Sequence, residues 1–395
     1  MSKRKYRTIV DMDYSTFKDT RFLFVVNTYQ GFGGAERQAL IFAHYLKKHV
    51  TPHVAFLALQ NGGSFKDKLH EVGIETYCLP FDVKEGKFKK LFNYYRLVKH
   101  IKRYAPDVII PYVAESNKVV AQIWKYTGAS FAFWNQREEG RNLYGTALEQ
   151  KLIRQVPAIV SNSFEGRDAL VKVYGLEPNQ VNVINNGVLP YGNVSEVDWY
   201  EKLNISKKRP LISMIANITE RKDHPTLLRA WAKVVSYCKN NQKEIPYLVL
   251  AGRKDNMYDK LRLLAFDLNL SEHLSFVGEL HPVQTLIRQS LFCVFSSNKE
   301  GCPNGVLECM EQGKAVVGTD ISGVHQALGE RYVGQTISKQ NSPEDLSKQI
   351  IGLLENLLLV NEIGDYNKQR ITHEFSVEKM VHNHLKLIEG NFCKN

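Results

Sequence analysis

Two carboxylates, Glu300 and Glu308, stand eight positions apart in the segment SSNKEGCPNGVLECMEQGKAVVGT. The residues between them interrupt an apolar strand pattern and then begin a helical one: Gly301, Cys302, Pro303, Asn304, Gly305 and Val306. If the helix begins near Asn304, its first N–H groups have no partner inside the helix and present a partial positive charge to an anion. The pattern therefore favours a phosphate at the start of this helix.

A pair of cations follows the first apolar strand in the second half of the chain. The segment ITERKDHPTLLRAW has Arg221 and Lys222 in a loop, with Asp223 as the expected N-cap of the next helix and Pro225 in its first turn. Such a loop lies at the carboxyl edge of a parallel sheet, where these folds bind ligands. Arg and Lys together suit a diphosphate, and a solvated basic pair is the alternative.

The two carboxylates are best explained by hydroxyl groups beside that diphosphate. Because carboxylates do not bind phosphate, Glu300 and Glu308 are assigned to hydroxyls on either side of it, ribose on one side and a transferred sugar on the other. The alternative is an exposed loop acid and an exposed helix acid. Glu311, deeper in the helix, is interpreted as a solvated acid.

A glycine-rich loop follows the first strand of the chain. Gly31, Gly33 and Gly34 come directly before a clear helix, which allows the backbone to approach a phosphate or a sugar closely. The spacing is not GxGxxG and no acid ends the second strand, so an NAD-dependent oxidoreductase is disfavoured. A plain tight turn is the alternative.

Short apolar runs alternate with helical patterns along the whole chain. This alternation predicts an α/β fold with parallel sheets covered on both faces. The runs of the first half are 21–27, 53–59, 74–80, 107–113, 130–135 and 158–163, and those of the second half are 210–217, 246–252, 274–280, 291–297 and 314–320. We expect two Rossmann-like domains, 1–190 and 191–375, joined near the Asn- and Gly-rich stretch 184–210, with a C-terminal helix in 376–395.

Composition excludes several classes of protein. The chain has 395 residues, of which 44% are hydrophobic, and no long apolar run or secretory signal, so a cytoplasmic protein is expected. Six scattered cysteines form no Cys-x-x-Cys pair, and the histidines include no HExxH. The sequence therefore predicts no disulfide framework, no metal site and no cofactor.

The net charge of +11 attracts polyanions such as nucleic acid, anionic lipid headgroups or sugar phosphates, and solvated basic faces are the alternative. The most basic stretch, KFKKLFNYYRLVKHIKRY at 87–104, mixes basic with apolar residues. We expect its apolar positions to face the core, with membrane-surface binding as the alternative. Nucleic acid is not an expected partner.

Taken as a set, these residues resemble glycosyltransferase family 4, the retaining, nucleotide-sugar-dependent enzymes with the GT-B fold. The pattern E-G-x-P-x-x-x-L-E is matched at 300–308, and further matches are Gly33, Gly34, Ala35, Glu36, Arg37, Asn186, Gly187, Val188 and Lys222. The resemblance implies two Rossmann-like domains whose parallel sheets face an interdomain cleft, the N-terminal one binding the acceptor and the C-terminal one the donor. The final helix is expected to cross back to the N-terminal domain.

The resemblance also implies a role for each site residue. Glu300, Lys222 and Arg221 would be catalytic, with Glu300 holding hydroxyls of the transferred sugar and the two cations the diphosphate. Glu308 would hold the ribose, and the other donor-binding residues would be Gly33, Gly34, Asn217, Gly278, Leu280, Gly301, Pro303, Asn304, Gly305 and Val306. Arg137, Gln136 and Glu36 would bind the acceptor. No metal is expected, because the cations and the helix start supply the positive charge.

The chain departs from the pattern of the family in three places. Asn217 stands where many members have Arg, so Arg221 is expected to supply the missing charge. Asn135, Gln136 and Arg137 stand where many have His, and Gln326 replaces an acid after SGVH.

The leading hypothesis is a hexosyltransferase-type enzyme that builds a bacterial surface polysaccharide, lipopolysaccharide or lipid-linked glycan. A UDP-sugar is favoured over a GDP-sugar as donor, the acceptor is a glycan or a lipid-linked glycan, and peripheral contact with the inner face of the cytoplasmic membrane is expected from the basic excess. The alternatives are a GT-B-fold nucleotide-sugar epimerase or phosphorylase, or a noncatalytic nucleotide-sugar-binding protein.

Overall fold

The computed structural model describes residues 13–60, 62–81, 87–190 and 196–392. The chain divides into two compact units: unit 1 combines Met1–Leu189 with Ser376–Asn395, and unit 2 is Pro190–Phe375. Each unit has its own parallel sheet and its own hydrophobic core. The basic cluster Lys3–Arg7 and Cys393 lie outside the described residues.

Unit 1 is built on a parallel sheet. Its strands are β1 (Phe22–Val26), β2 (Val54–Ala58), β3 (Glu75–Cys78), β4 (Val108–Pro111), β5 (Phe131–Gln136), β6 (Ala158–Ser161) and β7 (Val181–Val183). They lie in the order β3-β2-β1-β4-β5-β6-β7. β1 pairs in register with β2 on one side and β4 on the other. All five of its residues are buried, as expected for a strand with helices over both faces.

The helices of unit 1 cover both faces of this sheet. They are α1 (Gly34–His49), α2 (Ser64–Glu71), α3 (Lys87–Tyr104), α4 (Ala114–Thr127), α5 (Ala147–Ile153), α6 (Phe164–Tyr174) and, from the end of the chain, α16 (Val377–Phe392), with 3-10 turns at Ser15–Phe17 and Pro178–Gln180. The alternating residues of β1 separate the two layers: Phe22 and Phe24 pack in the core with α1 and α16, and Leu23 and Val25 in the core with α3 and α4.

Helix α16 is the predicted C-terminal helix, and it belongs to unit 1. Val377, Val381, Leu385 and Ile388 are buried in the same core as β1 and α1. The backbone at Gly187 packs directly against the start of α16, and a Cβ atom there would stand 2.8 Å from Val377 Cα. The family motif Asn186–Val188 thus includes a position at which only glycine fits, and the return of the final helix to the N-terminal domain is confirmed.

Unit 2 repeats the architecture. Its strands are β8 (Leu211–Ile215), β9 (Tyr247–Ala251), β10 (Leu274–Gly278), β11 (Phe292–Phe295), β12 (Val316–Thr319) and β13 (Ile337–Ser338). They form a parallel sheet in the order β10-β9-β8-β11-β12-β13. β8 therefore lies between β9 and β11, so the loops that follow these three strands are neighbours at one edge.

The helices of unit 2 pack on both faces of the second sheet. They are α7 (Trp199–Lys202), α8 (His224–Asn240), α9 (Tyr258–Asp267), α10 (Gln284–Gln289), α11 (Asn304–Glu311), α12 (Ser322–Leu328), α13 (Val333–Thr336), α14 (Pro343–Leu354) and α15 (Leu357–Glu374), with a 3-10 turn at Glu220–Lys222. Unit 2 has a hydrophobic core on each face of its sheet, and Trp231 of α8 is fully buried in the larger one, together with Leu346 and Ile350 of α14.

The predicted strands are present, and most are slightly shorter than their apolar runs, whereas β5 is as long as its run and begins one residue later. Two strands were missed: β7, with three residues, and β13, with two, are shorter than the runs used to predict strands. The prediction for helix α3 was only partly right. Leu97 and Ile101 are buried in the core, but Leu91 is 71% exposed, Phe92 60% and Tyr95 62%. The side chain of Phe88 lies outside the described residues.

Candidate functional site: the carboxyl edge of the unit 2 sheet

The loop after β8 leads through a 3-10 turn into α8. Asp223 adopts a left-handed conformation (φ 45°) and its Oδ1 accepts a hydrogen bond from Thr226 N–H at 3.3 Å, while Pro225 occupies the first turn of the helix. The predicted N-cap and first turn are therefore confirmed. The cap fixes the end of the 3-10 turn, and with it the backbone of Arg221 and Lys222.

This loop is fastened to the loop after β11. Asn298 N–H donates to the Arg221 carbonyl oxygen at 2.9 Å, and Ser296 Oγ donates to the Lys222 carbonyl oxygen at 3.0 Å. Lys222 Nζ donates in turn to Glu300 Oε1 and forms an ion pair with it. The two side chains are 19% and 13% exposed, so the pair lies at the surface of the edge and is partly shielded from water.

Helix α11 begins at Asn304, as predicted, with Pro303 as its N-cap residue. Its first turn closes with the hydrogen bond from Leu307 N–H to the Pro303 carbonyl oxygen at 3.2 Å. The N–H groups that precede Leu307, including those of Gly305 and Val306, therefore have no carbonyl partner within the helix. The positive end of the helix dipole is at Asn304, a few residues along the chain from Glu300, the carboxylate that pairs with Lys222.

Two glycines allow close packing here: one brings α11 close to the end of β8, and the other brings α12 close to the loop that holds Glu300. A Cβ on Gly305 would stand 2.3 Å from the Ile215 carbonyl oxygen at the end of β8, and one on Gly323 would stand 2.2 Å from the Glu300 carbonyl oxygen. Gly305 was predicted as a site residue. Gly323 was missed, although a glycine one position into the SGVHQ helix pattern is the signal that could have identified it.

The second carboxylate, Glu308, lies on α11 and is only 7% exposed. This burial counts against the alternative in which Glu308 is an exposed helix acid, because a buried carboxylate must be compensated by polar or charged groups. Glu311 is half-buried rather than solvated, and its Oε2 accepts a hydrogen bond from Gln312 Nε2. The interpretation of Glu311 as a solvated acid was therefore wrong.

Asn217 joins the loops after β8 and β9. Its Oδ1 accepts a hydrogen bond from Arg253 N–H at 3.0 Å. Gly252 packs against this loop so closely that a Cβ would stand 2.1 Å from the Ala216 carbonyl oxygen. Gly252 N–H donates to the carbonyl oxygen of Gly278 at 2.8 Å, and Gly278 has a φ of +77°. The predicted residues Asn217, Gly278 and, two positions on, Leu280 thus lie at the same sheet edge as Lys222 and Glu300.

A buried histidine beside Lys222 was missed by sequence reasoning. Within the described part of the chain, neither ring nitrogen of His224 has a hydrogen-bond partner. Burial, with a smaller contribution from the Lys222 charge, lowers the pKa of His224 to about 3, so the ring is neutral. Burial also raises the pKa of the neighbouring Asp223 carboxyl.

In unit 1, the glycine loop ends at the start of α1. Gly33 is the N-cap residue, and its N–H donates to Glu36 Oε2 at 3.0 Å. Gly34 is the first residue of the helix. The carboxylate of Glu36, predicted to bind the acceptor, therefore already caps its own helix through one oxygen.

The other predicted acceptor residues follow β5. Gln136 ends the strand, is buried, and donates through Nε2 to the Glu138 carbonyl oxygen at 3.1 Å. Arg137 is 8% exposed, donates through Nη2 to Asn186 Oδ1, and lies 5.2 Å from the centre of the Tyr112 ring. Its Nε and Nη1 have no hydrogen-bond partner among the described residues.

His384 of α16 also lies near this cation. The imidazole packs 4.6 Å from the Phe42 ring, and its Nδ1 donates to the Met380 carbonyl oxygen at 2.8 Å. Burial lowers the pKa of His384 to about 3, and the charge of Arg137 acts in the same direction. Arg137 therefore has a neutral, buried imidazole as one of its neighbours.

The described residues contain no metal-binding cluster and no helix that could cross a membrane. In the described ranges, no group of three or more His, Cys, Asp or Glu side chains is arranged to hold a metal ion. Across the same ranges, no helix combines the length and apolar character that crossing a membrane requires.

This chain is similar to known proteins along most of its length. The chain matches the Glycosyltransferase Family 4 model over residues 32–190 and the Glycosyl transferases group 1 model over residues 196–370. The N,N'-diacetylbacillosaminyl-diphospho-undecaprenol alpha-1,3-N-acetylgalactosaminyltransferase of Campylobacter jejuni is 25% identical over 313 residues, which are 74% of this chain and 80% of that protein.

Two solved structures share the fold. HepE of Anabaena, in complex with UDP, superposes with a TM-score of 0.79 at 16% identity, over 94% of this chain and 100% of that one. The lipopolysaccharide outer core galactosyltransferase WaaB, in its apo form, gives a TM-score of 0.67 at 16% identity, over 94% and 99%. Since the two family models together take in well over half of the chain, the chain belongs to glycosyltransferase family 4, has the GT-B fold, and is a glycosyltransferase of the hexosyltransferase type.

Proposed function

We propose that this glycosyltransferase is a retaining enzyme that moves a sugar from a nucleoside-diphosphate sugar to a glycan or lipid-linked acceptor, in the synthesis of bacterial surface polysaccharide or lipopolysaccharide. The observation that carries the proposal is the Lys222–Glu300 pair beside the start of α11. One cation, one carboxylate and one helix N-terminus meet at the carboxyl edge of a single sheet, and a sugar diphosphate has the complementary groups.

The diphosphate is assigned to Lys222, Arg221 and the N–H groups at the start of α11. The Lys222 carbonyl oxygen accepts a hydrogen bond from Ser296, so the backbone of Lys222 is fixed before the donor arrives. Only its ammonium group then has to exchange the Glu300 carboxylate for the diphosphate. The positive end of α11 adds a fixed partial charge that needs no counterion. We propose that these groups stabilise the departing nucleoside diphosphate and that no metal ion or cofactor is needed.

The carboxylates are assigned to hydroxyls. Glu300 would accept hydrogen bonds from the transferred sugar, and the buried Glu308 from the ribose. Gly301, Pro303 and the chain around Gly278 and Leu280 would line the donor. Asn217 would act indirectly, because its side-chain oxygen is already engaged by Arg253 N–H.

The acceptor is assigned to unit 1. Arg137 is the strongest candidate, because two of its nitrogens have no hydrogen-bond partner in the described structure and a buried guanidinium benefits from any further acceptor. Gln136 and Glu36 would contribute through the groups that their present hydrogen bonds leave available, and Gly33 and Gly34 would bring the backbone close to the donor.

Transfer with retention can proceed without a protein nucleophile. The bond between the sugar C1 and the diphosphate oxygen breaks, the acceptor hydroxyl oxygen bonds to C1 on the same face, and the proton of that hydroxyl passes to the leaving diphosphate. Glu300 would position the sugar and stabilise its oxocarbenium-like character rather than form a covalent intermediate. Glu300 and Glu308 would therefore not act as the pair of catalytic carboxylates that glycoside hydrolases use.

A UDP-sugar is the proposed donor class. HepE of Anabaena binds UDP and UDP-glucose, and the Campylobacter relative is named for transfer to a diphospho-undecaprenol-linked sugar. HepE supports a uridine donor for this chain, and the Campylobacter relative supports a lipid-linked acceptor.

The test is a transfer assay with radiolabelled UDP-, GDP- and ADP-sugars and an undecaprenyl-diphosphate-linked N-acetylhexosamine acceptor. We expect a glycoside from a UDP-sugar, with the anomeric configuration of the donor retained in the NMR spectrum and activity unchanged by EDTA. Release of free sugar, epimerisation of the donor or an inverted product would contradict the proposal.

A matched pair of variants links the activity to the site. Glu300→Gln removes the charge at the sheet edge and is expected to lower kcat about 100-fold, as loss of one electrostatic contact in a transition state does. Glu311→Gln changes a half-buried acid at the end of α11 and should leave kcat within about twofold of wild type, because its carboxylate hydrogen-bonds Gln312 rather than a group assigned to the donor. Equal losses in both variants would refute the assignment.

A further inference from the structure

Helix α3 carries an unusual concentration of positive charge. Seven of its 18 residues are Lys or Arg and none is Asp or Glu. The basic residues are Lys87, Lys89, Lys90, Arg96, Lys99, Lys102 and Arg103. With no acid on the same helix, none of these residues can form an i,i+4 ion pair within α3, and the helix carries a net positive charge.

The same helix exposes large apolar side chains. Leu91, Phe92 and Tyr95 are all more than half exposed, whereas the inner face of the helix is anchored in the core of unit 1 by Leu97 and Ile101. Most of the surface of these three side chains stays in water, so their burial contributes little to folding. Exposed apolar groups that cluster on one element are typical of an interaction surface.

The exposed apolar and basic residues share one side of α3. At about 100° per residue, Leu91, Tyr95, Lys99 and Lys102 fall within about 80° of one another. Phe92, Arg96 and Arg103 extend this range to about 140°. We call this surface the outer face of α3: Leu91, Phe92, Tyr95, Arg96, Lys99, Lys102 and Arg103. Its apolar residues lie in the first half of the helix and its four cations mostly in the second.

Helix α4 packs against α3 and has exposed residues of the same two kinds. Its Lys125 and Tyr126 are exposed, and Tyr126 adds another aromatic side chain with a polar tip. Within the outer face itself, the Arg96 guanidinium lies 5.9 Å from the centre of the Phe92 ring. Aromatic and cationic groups are thus interleaved on two neighbouring helices of unit 1.

We propose that the outer face of α3 docks on an anionic phospholipid surface. Leu91, Phe92 and Tyr95 would enter the boundary between headgroups and acyl chains, and the cations would lie at the level of the lipid phosphates. A nucleic acid would use the cations, but it offers no environment for Leu91. Such docking would bring the enzyme to lipid-linked acceptors, and to that extent the inference rests on the proposed function.

Two triple variants separate the contribution of charge to membrane binding from the contribution of the apolar side chains. Lys99→Gln/Lys102→Gln/Arg103→Gln removes three charges, and because each contributes about fivefold to binding of an anionic membrane, the variant should bind on the order of 100-fold more weakly. Leu91→Ser/Phe92→Ser/Tyr95→Ser should weaken binding as strongly while keeping every charge.

The controls carry the same kinds of change on unit 2. Lys239→Gln/Lys260→Gln/Arg262→Gln removes three exposed charges, and Leu263→Ser/Phe266→Ser removes two exposed apolar side chains of α9. All substituted residues are exposed, so circular dichroism and Tm should stay at the wild-type values.

The measurement is co-sedimentation of the full chain with vesicles of phosphatidylcholine, with and without phosphatidylglycerol, at increasing salt. We expect binding only when phosphatidylglycerol is present, weakening with salt, lost in both α3 variants and kept in both controls. Transfer to a water-soluble acceptor should be unchanged in the α3 variants, so failure of the proposed function and failure of this surface are distinguishable.

Three results would overturn the proposal. The first is wild-type binding of vesicles by the α3 variants, and the second is equal binding to vesicles with and without phosphatidylglycerol. The third is unchanged vesicle binding together with loss of RNA binding in the charge variant, which would assign the outer face to nucleic acid instead.

Discussion

Substitution of Gly305 by alanine should move the start of α11 away from the donor. The new Cβ would stand 2.3 Å from the Ile215 carbonyl oxygen and 2.9 Å from the Phe295 ring, and neither can yield easily, since one is strand backbone and the other a buried ring. Relief to 3.0 Å requires a shift of about 0.7 Å, a displacement comparable with the 1 Å misplacement that costs about 100-fold in rate. The overpacking itself should cost about 1–3 kcal/mol of stability.

Gly352→Ala is the matched control, because that helical glycine in unit 2 has nothing within 4 Å of its would-be Cβ. Alanine there should stabilise α14 by about 0.5–1 kcal/mol. The assay is calorimetric binding of UDP beside the Tm of each variant. We expect at least tenfold weaker UDP binding for Gly305→Ala and wild-type binding for Gly352→Ala. Wild-type UDP affinity in a folded Gly305→Ala protein would refute the role assigned to the start of α11.

Two further predictions concern buried contacts. His384, neutral in the folded chain and protonated below pH 6.5 in the unfolded one, should lower the unfolding free energy of unit 1 by about 2 kcal/mol between pH 7 and pH 5. The unfolding free energy falls as the pH falls because the unfolded state binds the extra proton. Hydrogen exchange should show this pH dependence reduced in His384→Leu and unchanged in His53→Gln, a control at an exposed residue. The same pH dependence in wild type and both variants would contradict the prediction. Gly323→Ala, which would press on the Glu300 carbonyl oxygen, should raise KM for the sugar donor more than Gly334→Ala, whose site is open; equal KM values would show that the α12 contact does not position Glu300.

The elements of the fold were predictable where burial determines the sequence. Strands such as β1 and β9 are covered on both faces, so their sequences are continuous apolar runs, and the loops that end them could be assigned to the carboxyl edges of their sheets. β7 and β13 were not predictable, because a strand of two or three residues leaves no period to detect. The predicted runs extend beyond the strands, since their last residues already turn into the edge loops.

The site was predictable in its composition and not in its contacts. The sequence brings Lys222 and Glu300 to the same edge, but it does not reveal that they bond to each other across 78 positions. His224 carried no signal, because an imidazole after an N-cap reads as a helix residue whether it is buried or exposed. The same holds for α3, whose apolar positions fit a core face and an exposed face equally well.

The central claim is that Lys222 binds the diphosphate and Glu300 the transferred sugar of one donor. The direct measurement is the affinity of wild type, Lys222→Met and Glu300→Gln for UDP and for the UDP-sugar that the enzyme uses. Lys222→Met should weaken both ligands alike. Glu300→Gln should weaken the UDP-sugar and leave UDP binding unchanged or tighter, because Lys222 no longer has to leave its carboxylate partner. Equal weakening of UDP and UDP-sugar by Glu300→Gln, or unchanged affinities in Lys222→Met, would contradict the account.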